Sequence, residues 1–168
     1  MRLLFLVSVA ILLAAGLRAW VVEGIYVATG SMEPTLHVGA HLWLDKLTYR
    51  FRDPKPGEIV CFTAPVEPFE EMCKRLIAVG GQTIELKEKT LFIDGKEVPE
   101  PYAVHKRKDE RLVGDNLGPL EVPKEHLFVL GDNRDESKDS TYWRDPSTNE
   151  PKPFVPLSKL RGLVRGIY

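Results

Sequence analysis

Ser31 stands in the segment Thr29-Gly30-Ser31-Met32-Glu33-Pro34-Thr35-Leu36, and Lys74-Arg75 follows at the end of a hairpin-like stretch. Near the C-terminus comes the dense polar loop Gly131-Asp132-Asn133-Arg134-Asp135-Glu136-Ser137-Lys138-Asp139-Ser140. A serine hydroxyl attacks an amide carbonyl only when a neighbouring base takes its proton, and an unprotonated lysine is one such base. An ordinary lysine titrates near 10.4, so the surroundings must disfavour its charge. Lowering it by about three units costs roughly 4 kcal/mol. Met72, Cys73, Leu76 and Ile77 supply apolar neighbours for that purpose. Taken singly, Ser31 also reads as a cap on the Glu33-Pro34 turn, and Lys74-Arg75 as a surface charge pair. The combination is what points to acyl transfer.

On four segments in one order the chain resembles the type I signal peptidases, membrane-bound serine proteases that remove signal peptides from exported proteins. The segments are Ser31 to Leu36, Pro56-Gly57-Glu58-Ile59-Val60, Lys74 to Gly81, and Gly131 to Tyr142. The resemblance implies Ser31 as nucleophile and Lys74 as general base. It implies an oxyanion held by the Ser31 amide and the Thr29 hydroxyl. It also implies that Ser137 hydrogen-bonds Lys74 and that Asp139 pairs with Arg75. Substrates cut after small-x-small motifs suit shallow apolar pockets, and Val27, Ala28, Met32, Leu36, Met72 and Cys73 are the residues expected to line them. Asp132-Asn133 reads as turn formation.

The resemblance brings no cofactor, and the polar loop does not suggest a metal. Asn133, Asp135, Ser137 and Asp139 are spaced by two as in a calcium loop, but the glycine of that motif would fall at Lys138 and its last glutamate at Arg144. The chain also departs from the family. Thr141 stands where an arginine is usual, Gly81-Gln82 replaces glycine-aspartate, and Arg144 to Pro153 resembles an insertion.

A chain of 168 residues normally makes one domain with a sizeable core. Lys plus Arg is 23 against 24 Asp plus Glu, so there is no basic field for a nucleic acid partner. His105-Lys106-Arg107-Lys108 is followed at once by Asp109-Glu110 and reads as a solvated loop. At the N-terminus, Leu3 to Gly16 is apolar apart from Ser8, before Arg18 and Trp20. Counted to Val22 the stretch holds about 20 residues, which at about 1.5 Å each reach roughly 30 Å. A cleavable signal peptide is the rival reading, with Ala14-Ala15-Gly16 as small residues for cleavage. The resemblance favours a retained anchor over residues 1–22, in a bacterial cytoplasmic membrane. Arg2 keeps that end cytoplasmic and places residues 23–168 outside. The expected partners are therefore the lipid bilayer and the signal peptides of preproteins at its surface.

Beyond the anchor the pattern is mainly β. Strands are expected at Gly24 to Ala28, His41 to Leu47, Ile59 to Phe62, Met72 to Val79, Thr83 to Leu86, Leu91 to Ile93, Lys96 to Val98, His126 to Leu130 and Gly162 to Tyr168. Asp94-Gly95 suits a two-residue I′ turn. Residues 99–125 and 144–153 read as peripheral loops, and the whole as a barrel of short antiparallel strands. Cys61 and Cys73 fall opposite each other if the hairpin folds about Glu67, as a disulfide or as a buried reduced pair. Three other functions fit parts of this pattern. A specialised peptidase for one conjugation or pilus precursor and an inactive anchored binding domain both keep the fold. A self-cleaving repressor with the same dyad would need a DNA-binding segment that the chain lacks.

Overall fold

Leu42 and Leu44 are buried while Trp43 between them is 43% exposed, the period-two signature of a strand with one face on a core. The same patterning repeats along the chain. The computed structural model describes residues 2–167. They form one helix, α1 (Arg2–Trp20), then β1 (Val22–Tyr26), β2 (His41–Asp45), β3 (Ile59–Thr63), β4 (Glu71–Val79), β5 (Thr83–Lys87) and β6 (Thr90–Ile93). After these come β7 (Lys96–Glu97), β8 (Leu117–Glu121), β9 (His126–Leu130), β10 (Val155–Pro156) and β11 (Leu160–Ile167). The helix stops two residues before Val22, which is already paired with Asp45 of β2. Among the described residues, no helix is long and apolar enough to cross a membrane.

The strands build two curled antiparallel sheets rather than one barrel. The larger runs in the order β1-β2-β11-β3-β4-β9-β10, and the smaller β7-β6-β5-β8. Both faces of β9 are covered. Phe128 and Leu130 join Ile77, Ile84 and Leu91 in a core between the sheets, while Leu127 and Val129 pack with Val60, Phe62 and Trp143. A strand buried on both sides loses the alternation that marks an exposed one, hence the continuous run His126-Leu127-Phe128-Val129-Leu130. Asp94 and Gly95 take φ of 50° and 75°, the left-handed pair that a two-residue I′ turn needs.

Residues 99–125 are not peripheral as expected. Val122 is fully buried, β8 pairs with β5, and Val104 bridges to Asn133 of the polar loop. Residues 144–153 do form an exposed excursion, closed by a bridge between Arg144 and Pro151.

Cys61 and Cys73 face each other across β3 and β4 and are joined as a disulfide. They are separated by 12 residues, and closing a loop of this size constrains the unfolded chain by about 3 kcal/mol. A Cys61→Ala/Cys73→Ala double variant is expected to lose about that much stability in urea unfolding. An unchanged midpoint would mean that the bond contributes nothing.

Candidate active site

Three elements meet at Ser31. The turn Gly30–Met32 follows β1 and carries the serine, β4 carries Lys74, and the loop after β9 packs against the serine's own backbone. Lys74 Nζ stands 2.6 Å from Ser31 Oγ. Both are buried, the lysine to 3% and the serine to 8% exposure. Burial pushes the lysine down from its ordinary 10.5 to about 8, against the upward pull of the Asp139 and Asp132 carboxylates. An amine with that affinity is deprotonated often enough near neutral pH to accept the serine proton. Thr29 Oγ1 lies 3.3 Å from Ser31 Oγ, on the edge of the same cleft.

That cleft has a volume of about 390 Å³. All six residues expected to line it do so: Val27, Ala28, Met32, Leu36, Met72 and Cys73. Met32, Leu36 and Leu42 pack with Ile25 and Val27 beneath the serine turn, so the wall on that side is apolar and fixed. Cys73 is held to Cys61 and cannot swing into the space.

The chain matches a family profile along its whole length: "Signal peptidase, peptidase S26" covers residues 1–168. The chain belongs to the signal peptidase I family. It is 40% identical over 138 residues to signal peptidase I of Bacillus licheniformis, covering 80% of this chain and 74% of that one. Over 159 residues it is 36% identical to a probable signal peptidase I-2 of Synechocystis, covering 91% of this chain and 66% of the relative. The crystal structure of a signal peptidase I from Enterococcus faecalis superposes with a TM-score of 0.53 at 27% identity. That match covers 68% of this chain and 98% of the other. As a family member the chain is a serine endopeptidase, of the same class as these signal peptidase I relatives.

The bracing around this family member's Ser31–Lys74 pair differs from expectation in three places. Arg75 pairs with Asp132 and not with Asp139: its Nε and Nη2 donate to the two carboxylate oxygens at 2.8 and 2.6 Å. Asp139 is instead taken up by its own loop, accepting from the Gly131 amide and from the Thr141 amide and hydroxyl. Thr141 thus supplies a brace at the position where the family has arginine. Ser137 makes no hydrogen bond to Lys74. Its buried Oγ has no partner among the described residues and packs over Gly131, where a methyl group would collide with it and with the Ser31 carbonyl. Glycine at 131 is therefore required by close approach. Gly30 is different, because it does not adopt positive φ, and a side chain there would only touch Glu33.

Asp132 and Asn133 are far more than a turn. Asp132 is fully buried and also accepts from Thr35 Oγ1 at 2.5 Å. The Asn133 amide donates to the Ser31 carbonyl and its Nδ2 to the Gly30 carbonyl. The serine turn is thereby clamped from the loop that follows β9. A further layer comes from residues 99–104. The Tyr102 ring lies 3.9 Å from the Arg75 guanidinium, and Glu100 accepts from Arg134 Nη2 at 2.5 Å and from the Tyr102 hydroxyl at 2.8 Å. Nothing local in the sequence names the partners of Glu100 and Tyr102.

Proposed function

We propose that this chain cleaves N-terminal signal peptides from exported preproteins after small-x-small motifs, with Ser31 as nucleophile and Lys74 as its base. The observation that carries the reading is the buried Lys74 amine at 2.6 Å from Ser31 Oγ, opening on an apolar cleft. Neutral Lys74 takes the hydroxyl proton as Ser31 Oγ attacks the scissile carbonyl. The oxyanion is received by the Ser31 amide and the Thr29 hydroxyl. The resulting lysine ammonium returns its proton to the leaving amine, which departs with the mature chain. Water then hydrolyses the acyl-serine ester with Lys74 as base again, and the signal peptide leaves as a carboxylate. Ser137 and Asp139 act from the second layer: Asp139 shapes the loop and biases the Lys74 proton affinity, and Ser137 fills the space over Gly131.

We also propose that α1 tethers the domain to the bacterial cytoplasmic membrane, N-terminus inside and catalytic domain outside. Leu3, Leu4, Phe5 and Leu12 are exposed along it, so its apolar surface is not spent on the domain's core.

The test is a panel of presequences incubated with the full chain in membranes, beside its Ser31→Ala variant. Cleavage after small residues by the wild type alone, in material that stays membrane-bound at alkaline pH, is expected. Cleavage of one presequence only would favour a dedicated processing peptidase. Activity that survives Ser31→Ala would remove the nucleophile.

A further inference from the structure

The cleft at Ser31 does not end at Met72. A second hollow of about 430 Å³ opens beyond it and shares Glu70, Met72 and Lys138 with the first. Its lining is largely apolar, with Ala64 and Val66 from the hairpin between β3 and β4, and Tyr142 and Trp143 from the loop after Ser137. Trp143 is buried edge-on against Phe62, which makes that wall rigid. Tyr142 and Val113 remain 52% and 65% exposed. Apolar side chains left in the open beside a catalytic pair are a site for something that arrives.

The origin of the walls says which half of a substrate arrives there. The first cleft takes residues from β1, from the serine turn and from β4. The second takes none from β1 or from the serine turn; apart from Val113 it is built on the β3–β4 hairpin, whose second strand carries Lys74, and on the loop after Ser137. In the reaction above, the amine leaves with the proton that Lys74 returns, so the leaving peptide lies against the lysine's side. The small-residue pockets beside Ser31 hold the acyl half. We propose that the second hollow binds the first residues of the mature chain and selects a bulky apolar or aromatic side chain among them. This assignment rests on the Ser31–Lys74 reading of the cleft.

The experiment uses peptides with a constant small-x-small stretch before the scissile bond and Gly, Leu or Phe at each of the first four positions after it. At one of these positions Leu or Phe is expected to raise kcat/KM roughly tenfold over Gly. Tyr142→Ala should bring that ratio close to one, and so should Val113→Ser, whose exposed position leaves the fold intact. In parallel, titration calorimetry follows a peptide of the mature half alone onto the Ser31→Ala protein, with stronger binding expected for Phe than for Gly. Equal rates for all residues together with no binding of the mature half would overturn the proposal. So would a Tyr142-dependent preference at positions before the bond, since it would put the signal half in the hollow. Binding of the mature half in the absence of any cleavage would uphold the hollow and count against the dyad.

Discussion

Lys74→Met is expected to abolish cleavage and, in the same protein, to raise stability. Methionine fills nearly the same volume beside the serine turn but cannot accept a proton. Without a base the hydroxyl is a poor nucleophile, and kcat should fall by at least about 10³-fold. The gain in stability has a separate origin. Lys74 titrates at about 8 in the fold against 10.5 when free. Between those values the unfolded chain binds more protons than the native one, so native stability rises with pH over that window and levels off above it. Below about 8 the fold carries the full cost of a buried charge, about 3 kcal/mol for a shift of this size. Methionine removes it, so at pH 7 the variant should melt roughly 5–10 °C higher. Its stability should also lose the rise between pH 8 and 10.5. The wild-type rate carries the same titration, with kcat/KM climbing about tenfold per pH unit below 8 and flattening above. A variant that cleaves, or a wild-type profile flat from pH 6 to 9, would show that another group is the base.

Much of this was legible from the sequence, and the limit of legibility has a physical cause. The strands could be read because burial on one face imposes a period of two, as Leu42-Trp43-Leu44 illustrates, and because Asp94-Gly95 encodes its turn locally. Cys61 and Cys73 could be placed opposite each other because a hairpin fixes register from its tip. The serine and the lysine were found by their resemblance to a known order of segments, since neither residue carries a local mark of reactivity. The bracing was not legible. A buried carboxylate that is paired and a surface one that is hydrated are the same letter, and Asp132 finds Arg75 across 57 positions of chain. The segment 99–125 misled for that reason. Its prolines, glycines and charges have the composition of a solvated loop, yet Glu100 and Tyr102 spend their polar groups inside the protein.

The clamp those residues form yields the second large expectation. Asp132 receives both arms of Arg75 and the Thr35 hydroxyl with no exposure to water. Asp132→Ala would leave the Arg75 guanidinium, 11% exposed and covered on one face by Tyr102, with the Gly57 carbonyl as its remaining acceptor among the described residues, and removing one partner of such a buried pair costs about 3–5 kcal/mol. Asp132→Asn keeps the volume and part of the hydrogen bonding, and so is the variant for kinetics. Through the next residue, Asn133, the loop holds the Ser31 carbonyl, and if Ser31 attacks as proposed, its displacement by about 1 Å is worth up to 10²-fold in rate. With Asn at 132, kcat should fall by roughly that factor while KM changes little. Asp132 is also one of the two carboxylates that pull the Lys74 proton affinity upward, so its neutralisation should move the acid limb of the rate profile below pH 8. The two effects separate the possible roles. A partly unfolded enzyme would lose rate at every pH without moving the limb, whereas a loop that both positions Ser31 and tunes Lys74 must do both. Should the limb stay near pH 8 while kcat drops, Asp132 would be a prop for the serine turn alone, and Asp139 would be left as the carboxylate that sets the lysine.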